Sequence, residues 1–357
     1  VAEPRSYSMK FMDSVLGIDV DTECIPLMEN IFRFFTTHLS LTPGRPASAE
    51  ASVFVHSYAE LNIKNLEWEE VLIRRNKYPE FHLYGLRGLP EAGKEMILSE
   101  HTGTAILFEE HHRRIHLYIS ERSYIQVIDL IRDLFIRLEE YRGTLVLHAS
   151  AASDGEKIIA VVGRKGAGKS TFLLELLVDH QYKFVSGDKL FLRINDGEIQ
   201  AYGWPDYPSL GFGTILKYPR LAEMLKAEGY ELDPAKPEAK ILFSPHLLEK
   251  VFDFQFIAGP MPLQAVLLPD VLASEETGVI QESDPRLVTE HVEITANNPL
   301  NGWNHFIKPA SSDVMLPKIQ QLSDALSTCR MVSVRGKGIL DSELLSRITD
   351  SSARALV

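Results

Sequence analysis

Cysteine is nearly absent from this chain: Cys24 and Cys329 are the two in 357 residues. Two thiols so far apart in sequence build neither a disulfide framework nor a Cys-rich metal site, and they suit a reducing compartment. Long apolar runs are also missing. No stretch approaches the roughly 18 residues of a membrane-spanning helix, and VAEPRSYSMKFMDSV lacks the continuous apolar centre of a signal peptide. The expectation is therefore a soluble, cytoplasmic protein. Basic charge is in deficit as well, with 37 Lys+Arg against 49 Asp+Glu and a net charge of −12. Nucleic acid and anionic membranes require basic stripes that this sequence does not contain, so neither is expected as a partner. Low-complexity tracts and repeats of fixed period do not occur.

What remains is a globular composition, 45% apolar and 24% charged, with length for more than one core. Residues 1–142 read as a mixed α/β region. Helical spacing runs from Thr22 to Phe35, and Ala51 to Tyr58 alternates as a strand. Thr104–Phe108 and Ile115–Ile119 flank a charged turn as a β-hairpin. The clearest helix follows Ser123, with Ile125, Ile128, Ile131, Leu134, Phe135 and Leu138 on one face and Gly143 as its stop.

From Thr144 the texture changes to strand, Gly-rich loop, helix and strand: TLVLHASAA, IIAVV, the loop, TFLLELLVD, then KFVSGDKLFLRI. That order is a βαβ signature. Residues 229–240 read as a mobile loop, Leu263–Leu268 as a strand and residues 313–328 as a helix. The expected division is an N-terminal region over 1–142, a nucleotide-binding core over 143–300 and a C-terminal helical segment over 301–357.

Gly163-Arg164-Lys165-Gly166-Ala167-Gly168-Lys169-Ser170 fits G-x-x-x-x-G-K-[ST] at every fixed position. A chance match in a chain of this length is on the order of one in a hundred. Its glycines allow backbone N–H groups to converge on an anion, and the following helix adds its positive end. Gly163, Gly166, Ala167, Gly168, Lys169, Ser170 and Thr171 are the expected nucleotide-binding residues. Lys169 is placed on the β- and γ-phosphates and Ser170 on Mg²⁺. His148, fifteen positions before Gly163, and Asp188, at the end of FVSGD, are the candidates for groups near the γ-phosphate. A packed strand histidine and a Gly-Asp turn account for the same two residues without a ligand.

His148, GRKGAGKST, LEL at Leu174 to Leu176 and FVSGD at Phe184 to Asp188 together resemble the HPr kinase/phosphorylase family. More distantly they resemble the nucleotide core of phosphoenolpyruvate carboxykinases, and HPr-kinase-like proteins such as lasso peptide kinases share the pattern. The likeness spans residues 144–195, about a seventh of the chain. It implies an α/β fold with a P-loop kinase core behind the mixed N-terminal region, ATP and Mg²⁺ as cofactors, and Lys169, His148 and Asp188 as catalytic residues. Asp188 would activate the acceptor hydroxyl or, with Ser170, hold the metal. The acceptor would be a Ser or Thr of a peptide or small protein; a small-molecule hydroxyl kinase and a nucleotide-dependent switch or ATPase are the alternatives. Homo-oligomers are also implied by the likeness alone. One departure stands out: the family carries two adjacent acids where this chain has Gly187 and Asp188.

Other residues are ambiguous. Arg164 and Lys165 face either the phosphates or solvent. Trp204, Tyr207 and Phe212, in the Gly- and Pro-rich segment 201–215, suit a lid or the cover of a core edge. Lys240 suits a phosphate contact or a plain surface position. His111 and His112 sit in a charged turn without spaced partners and are assigned no metal.

Overall fold

Among the described residues, nine strands form in the first part of the chain, β4 and β9 with clear alternation of buried and partly exposed residues: β1 (Arg5–Phe11), β2 (Ser14–Val20), β3 (Ser40–Pro43), β4 (Ala51–Ser57), β5 (Trp68–Arg74), β6 (Leu83–Glu91), β7 (Lys94–Ser99), β8 (Thr104–Glu109) and β9 (Arg114–Ile119). A computed structural model describes residues 3–63, 66–74, 82–252, 255–270, 279–297, 303–304, 306–336 and 340–349. The chain is mixed α/β and divides into two units, Val1–Gly143 with Ile294–Val314, and Thr144–Glu293 with Met315–Val357.

The first unit's sheet has the order β3-β1-β2-β4-β9-β8-β7-β6-β5. β4 runs parallel to both β2 and β9, and the other pairs are antiparallel. Two helices join it, α1 (Ile25–Phe35) and α2 (Tyr124–Tyr141). The α2 face expected from sequence is buried except at Ile125, which is exposed. Charged residues of α2 are buried too. Arg137 pairs with Asp133 at 2.8 Å and donates to the carbonyls of Asn304 and Ile307, while Glu140 accepts from the amide and hydroxyl of Thr295. Those bonds explain why residues 294–314 return to this unit: each buried charge needs partners that α2 alone does not supply.

The second unit holds β10 (Leu145–Ser153), β11 (Ile158–Val162), α3 (Lys169–Val178), β12 (Lys183–Ser186), β13 (Lys189–Asn195), β14 (Glu198–Tyr202), β15 (Ser209–Gly211), α4 (Phe212–Ile215), α5 (Pro219–Ala227), β16 (Lys240–Leu242), α6 (Pro245–Phe252), β17 (Met261–Asp270), β18 (Val279–Glu282), α7 (Pro285–Thr289) and β19 (Val292–Glu293). α8 (Ser312–Leu326), β20 (Arg330–Arg335) and α9 (Ser342–Thr349) follow. Residues 301–357, expected as a helical segment, thus include a strand, because Met331, Val332 and Val334 are buried beside β17.

The main sheet order is β11-β10-β13-β14-β17-β20-β18, and β17 also pairs with β11 in parallel. One edge of β10 pairs with β13 and then β12; the other pairs with β19 and then β11. The expected βαβ unit is therefore modified. β11 and β12 are parallel to each other but separated by β10, which is antiparallel to both. The run KFVSGDKLFLRI is broken at Gly187-Asp188, where two residues bridge β12 and β13. Phe172 through Leu177 are all buried, so α3 is covered on every side over that stretch. Among the described residues, no helix is long and apolar enough to cross a membrane.

Candidate functional site

The buried strand β11 delivers the chain to Gly163, and α3 begins at Lys169, so the Gly-rich octapeptide occupies a strand-to-helix turn. Gly166 and Gly168 have φ of +88° and +113°, a region that side-chain-bearing residues rarely enter. Gly168 is the residue before the first helical turn, and no side chain caps that end. The first N–H groups of α3 are thus available to an anion, with the helix dipole favouring negative charge. Gly163 packs closely, since a Cβ there would lie 3.2 Å from the Cβ of Ala167.

Lys169 folds back over this turn and its Nζ donates to the carbonyl of Gly163 at 2.6 Å. Burial lowers its pKa; the charge of Asp188 opposes that shift and the charge of Lys240 adds to it. Ser170 and Thr171 follow in the first turn, half-buried, with Thr171 Oγ1 3.4 Å from Thr214 Oγ1 of α4. Arg164, Lys165 and Lys240 are exposed. Lys240 is nonetheless close enough to act on Lys169.

His148 and Asp188 come together through antiparallel pairing. Lys189 lies opposite His148 across β10 and β13, and the Ala149 amide donates to the Asp188 carbonyl at 2.9 Å. His148 Nδ1 then lies 3.5 Å from Asp188 Oδ1. On the other edge of β10 the His148 amide donates to the His291 carbonyl, and Glu293 Oε1 lies 3.4 Å from the same Nδ1. The second carboxylate oxygen of Glu293 accepts from Lys189 Nζ. Burial pushes the Glu293 pKa upward, but His148 and Lys189 outweigh it and hold the carboxyl at about 2. His291 is lowered by burial, then by the charges of His148 and Lys169.

Lys189, His291 and Glu293 were not singled out by sequence reasoning. The period-two spacing of His291 and Glu293 is the one local signal, and nothing in it names His148 as the partner. The absent second acid has a steric explanation. A Cβ at residue 187 would lie 2.5 Å from the Asp206 carbonyl oxygen and 2.7 Å from the Pro208 nitrogen. Gly187 instead donates its amide to that Asp206 carbonyl at 2.7 Å and accepts from Ser150 Oγ.

Trp204 and Tyr207, which suited either a lid or the cover of a core edge, are core residues. Trp204 is fully buried with its ring centroid 4.7 Å from that of Phe191, and Tyr207 stacks on Phe184. A cavity of about 780 Å³ lies toward the other end of α3, beside Lys183, Lys217, Arg220 and Lys250. None of residues 163–171 lines it. Donor geometry and charge, not void volume, locate the candidate site. A comparison with protein-family models and with curated proteins finds no match to this chain.

Proposed function

We propose that the second unit is an ATP-dependent phosphotransferase core of the HPr kinase type, acting on a hydroxyl of a peptide or small protein in the cytoplasm. The observation that carries this reading is the gathering of Lys169 and Asp188, close enough to share an electrostatic field, at an uncapped helix N-terminus with two left-handed glycines.

The residues fit a Mg²⁺-nucleotide: free backbone N–H groups and a lysine for phosphate oxygens, a serine hydroxyl and a carboxylate for the metal. Ser170 and Asp188 would hold Mg²⁺, which supplies charge neutralisation at the phosphates when bound. Lys169 must leave the Gly163 carbonyl to reach a phosphate oxygen. Asp188 receives the proton of the acceptor hydroxyl or orients that hydroxyl. His148, with Nδ1 3.5 Å from Asp188 and 3.4 Å from Glu293, lies between the two acids and orients the Asp188 carboxylate. Glu293, itself tied to Lys189, holds the imidazole in place.

The test is transfer of labelled γ-phosphate from ATP with Mg²⁺ to a library of Ser- and Thr-containing peptides. Asp188→Asn is expected to retain nucleotide binding while transfer falls about 10²- to 10⁴-fold. Hydrolysis without any phosphorylated product would replace this reading with a nucleotide-dependent switch. Binding without turnover would reduce the protein to a nucleotide-binding module.

A further inference from the structure

A second cluster of chemistry-bearing side chains lies in the first unit. On β4 the buried Val53 and Val55 alternate with half-buried Phe54 and His56, and on β9 buried Ile115 and Leu117 alternate with half-buried His116 and Tyr118. Parallel register sets Phe54 opposite His116 and His56 opposite Tyr118, so all four share one face. His56 Nε2 and His116 Nδ1 are 3.1 Å apart, with ring planes within 12° and centroids 5.4 Å apart. The centroid separation exceeds the N···N distance by about one ring width, so the rings lie edge to edge and the two nitrogens share one hydrogen.

The outer nitrogens both face carboxylates. His116 Nε2 lies 3.8 Å from Glu109 Oε2, and His56 Nδ1 lies 2.8 Å from Asp21 Oδ2. A third acid completes the group: ligand atoms of Asp21, His56 and Glu60 all lie within 4.8 Å of one another. Asp21 is pinned by its amide bond to the Val55 carbonyl, whereas Glu60 is exposed on a short turn. Glu60 has no ion-pair partner among the described residues.

The partners of these groups then favour a cation. At 2.8 Å, His56 Nδ1 and Asp21 Oδ2 are joined by one hydrogen, while the Glu60 carboxylate lies within 4.8 Å of both atoms. That hydrogen serves Asp21 and leaves Glu60 without a partner, whereas a divalent ion that displaces it as a proton binds all three. With an ion on Nδ1, the ring's remaining hydrogen sits on His56 Nε2 and is donated to His116 Nδ1. Ligand bonds of about 2.0–2.2 Å place donor atoms about 3–4 Å apart, and the exposed Glu60 side chain closes the remaining gap. The ring nitrogen of the ligating histidine that points away is also hydrogen-bonded, as metal-ligating histidines require.

We propose that Asp21, His56 and Glu60 form a binding site for a first-row divalent transition-metal ion such as Zn²⁺, with His56 Nδ1 as the nitrogen ligand and His116 as the group that orients it. One imidazole and two carboxylates select such an ion over Mg²⁺, whose preferred ligands are all oxygen. Ser57 and its neighbours between His56 and Glu60 then become a bound loop joining β4 to its own following turn.

The experiment is a calorimetric titration of Zn²⁺ into the chelator-stripped full-length chain, in a His148→Gln background so that the other His-carboxylate cluster contributes nothing. In the absence of nucleotide, one Zn²⁺ is expected to bind and to raise the melting temperature, and Mg²⁺ is expected to do neither. Glu60→Gln, at an exposed position, should leave the metal-free melting temperature unchanged and weaken Zn²⁺ at least tenfold. His56→Gln should abolish binding, and His116→Leu should weaken it about 10- to 100-fold. Absence of Zn²⁺ binding, or identical titrations for the Glu60→Gln chain and its parent, would overturn the proposal.

Discussion

Lys169 Nζ donates a 2.6 Å hydrogen bond to the carbonyl oxygen of Gly163, six residues earlier. The lysine that the proposed function places on a phosphate is therefore closed over its own loop, half-buried, with a lowered pKa caused first by that burial. A bound phosphate offers a charged acceptor in place of a neutral carbonyl, so the lysine exchanges an ion–dipole bond for an ion pair. If the proposed function holds, Lys169→Ala is expected to lower phosphoryl transfer by about 10²-fold or more, since it removes the cation that meets the developing charge. Because the replaced bond is local, the melting temperature should change little. Fluorescent-nucleotide binding and labelled-phosphate transfer, read beside thermal unfolding, check both halves.

Gly187 gives a prediction that runs against a simple repair of the motif. Introducing the second acid as Gly187→Asp puts a Cβ within 2.5–2.9 Å of the backbone of Asp206, Tyr207 and Pro208. Backbone does not swing aside as a flexible side chain does, so Gly187→Ala and Gly187→Asp should both destabilise by about 1–3 kcal/mol. The Asp variant should not transfer phosphate faster than the parent. Thermal melts of the two variants separate the steric effect, shared by both, from any effect of charge.

The parts of the molecule that could be read in the sequence are those whose signal is local. The octapeptide's place between a strand and a helix follows from eight consecutive residues and their flanks, and the β8–β9 hairpin follows from two apolar runs around a charged turn. Asp188 and His148 were named as residues, but the antiparallel pairing that brings them together was not legible. It depends on β12 and β13 sharing one edge of β10, which no window of sequence contains. Glu293 lies 145 positions after His148 and meets it only because β19 adds to the opposite edge. Trp204 and Tyr207 were ambiguous for a different reason: a Gly- and Pro-rich aromatic segment has the same composition whether it covers a core or a ligand.

Glu293 carries an acid-dependent share of stability. Its carboxyl, held at about 2 against an ordinary value of 4.5, binds protons less readily when folded than when unfolded. The stability it contributes is present above about pH 4.5 and is lost as the pH falls toward 2. Glu293→Gln should therefore melt below the parent at pH 7, with the gap narrowing between about pH 4.5 and pH 2. Parallel melting series over that range measure it. A gap that stays constant with pH would mean that the contribution of Glu293 is packing and not charge.

Glu175 has the opposite sign. It lies in α3 within the Leu174–Leu176 stretch, is 6% exposed, and accepts the Leu340 amide at 2.7 Å, while His180 Nε2 meets the Leu340 carbonyl. Burial raises its pKa from 4.5 to about 7, against the lowering effect of the Leu340 bond. A carboxyl with a raised folded pKa stabilises fully below its unfolded value and loses that contribution as the pH rises through the folded one. The chain should lose stability between about pH 4.5 and pH 7 on this account, by on the order of 3 kcal/mol once the shift is expressed as free energy. Glu175→Gln keeps an oxygen acceptor for Leu340 and removes the charge. It is expected to melt above the parent at pH 8 and close to it at pH 5. Because Leu340 lies two residues before α9, hydrogen exchange over Ser342–Thr349 should slow in the variant at pH 8, which ties the carboxylate's cost to the docking of that helix and not to the Gly-rich loop at the other end of α3.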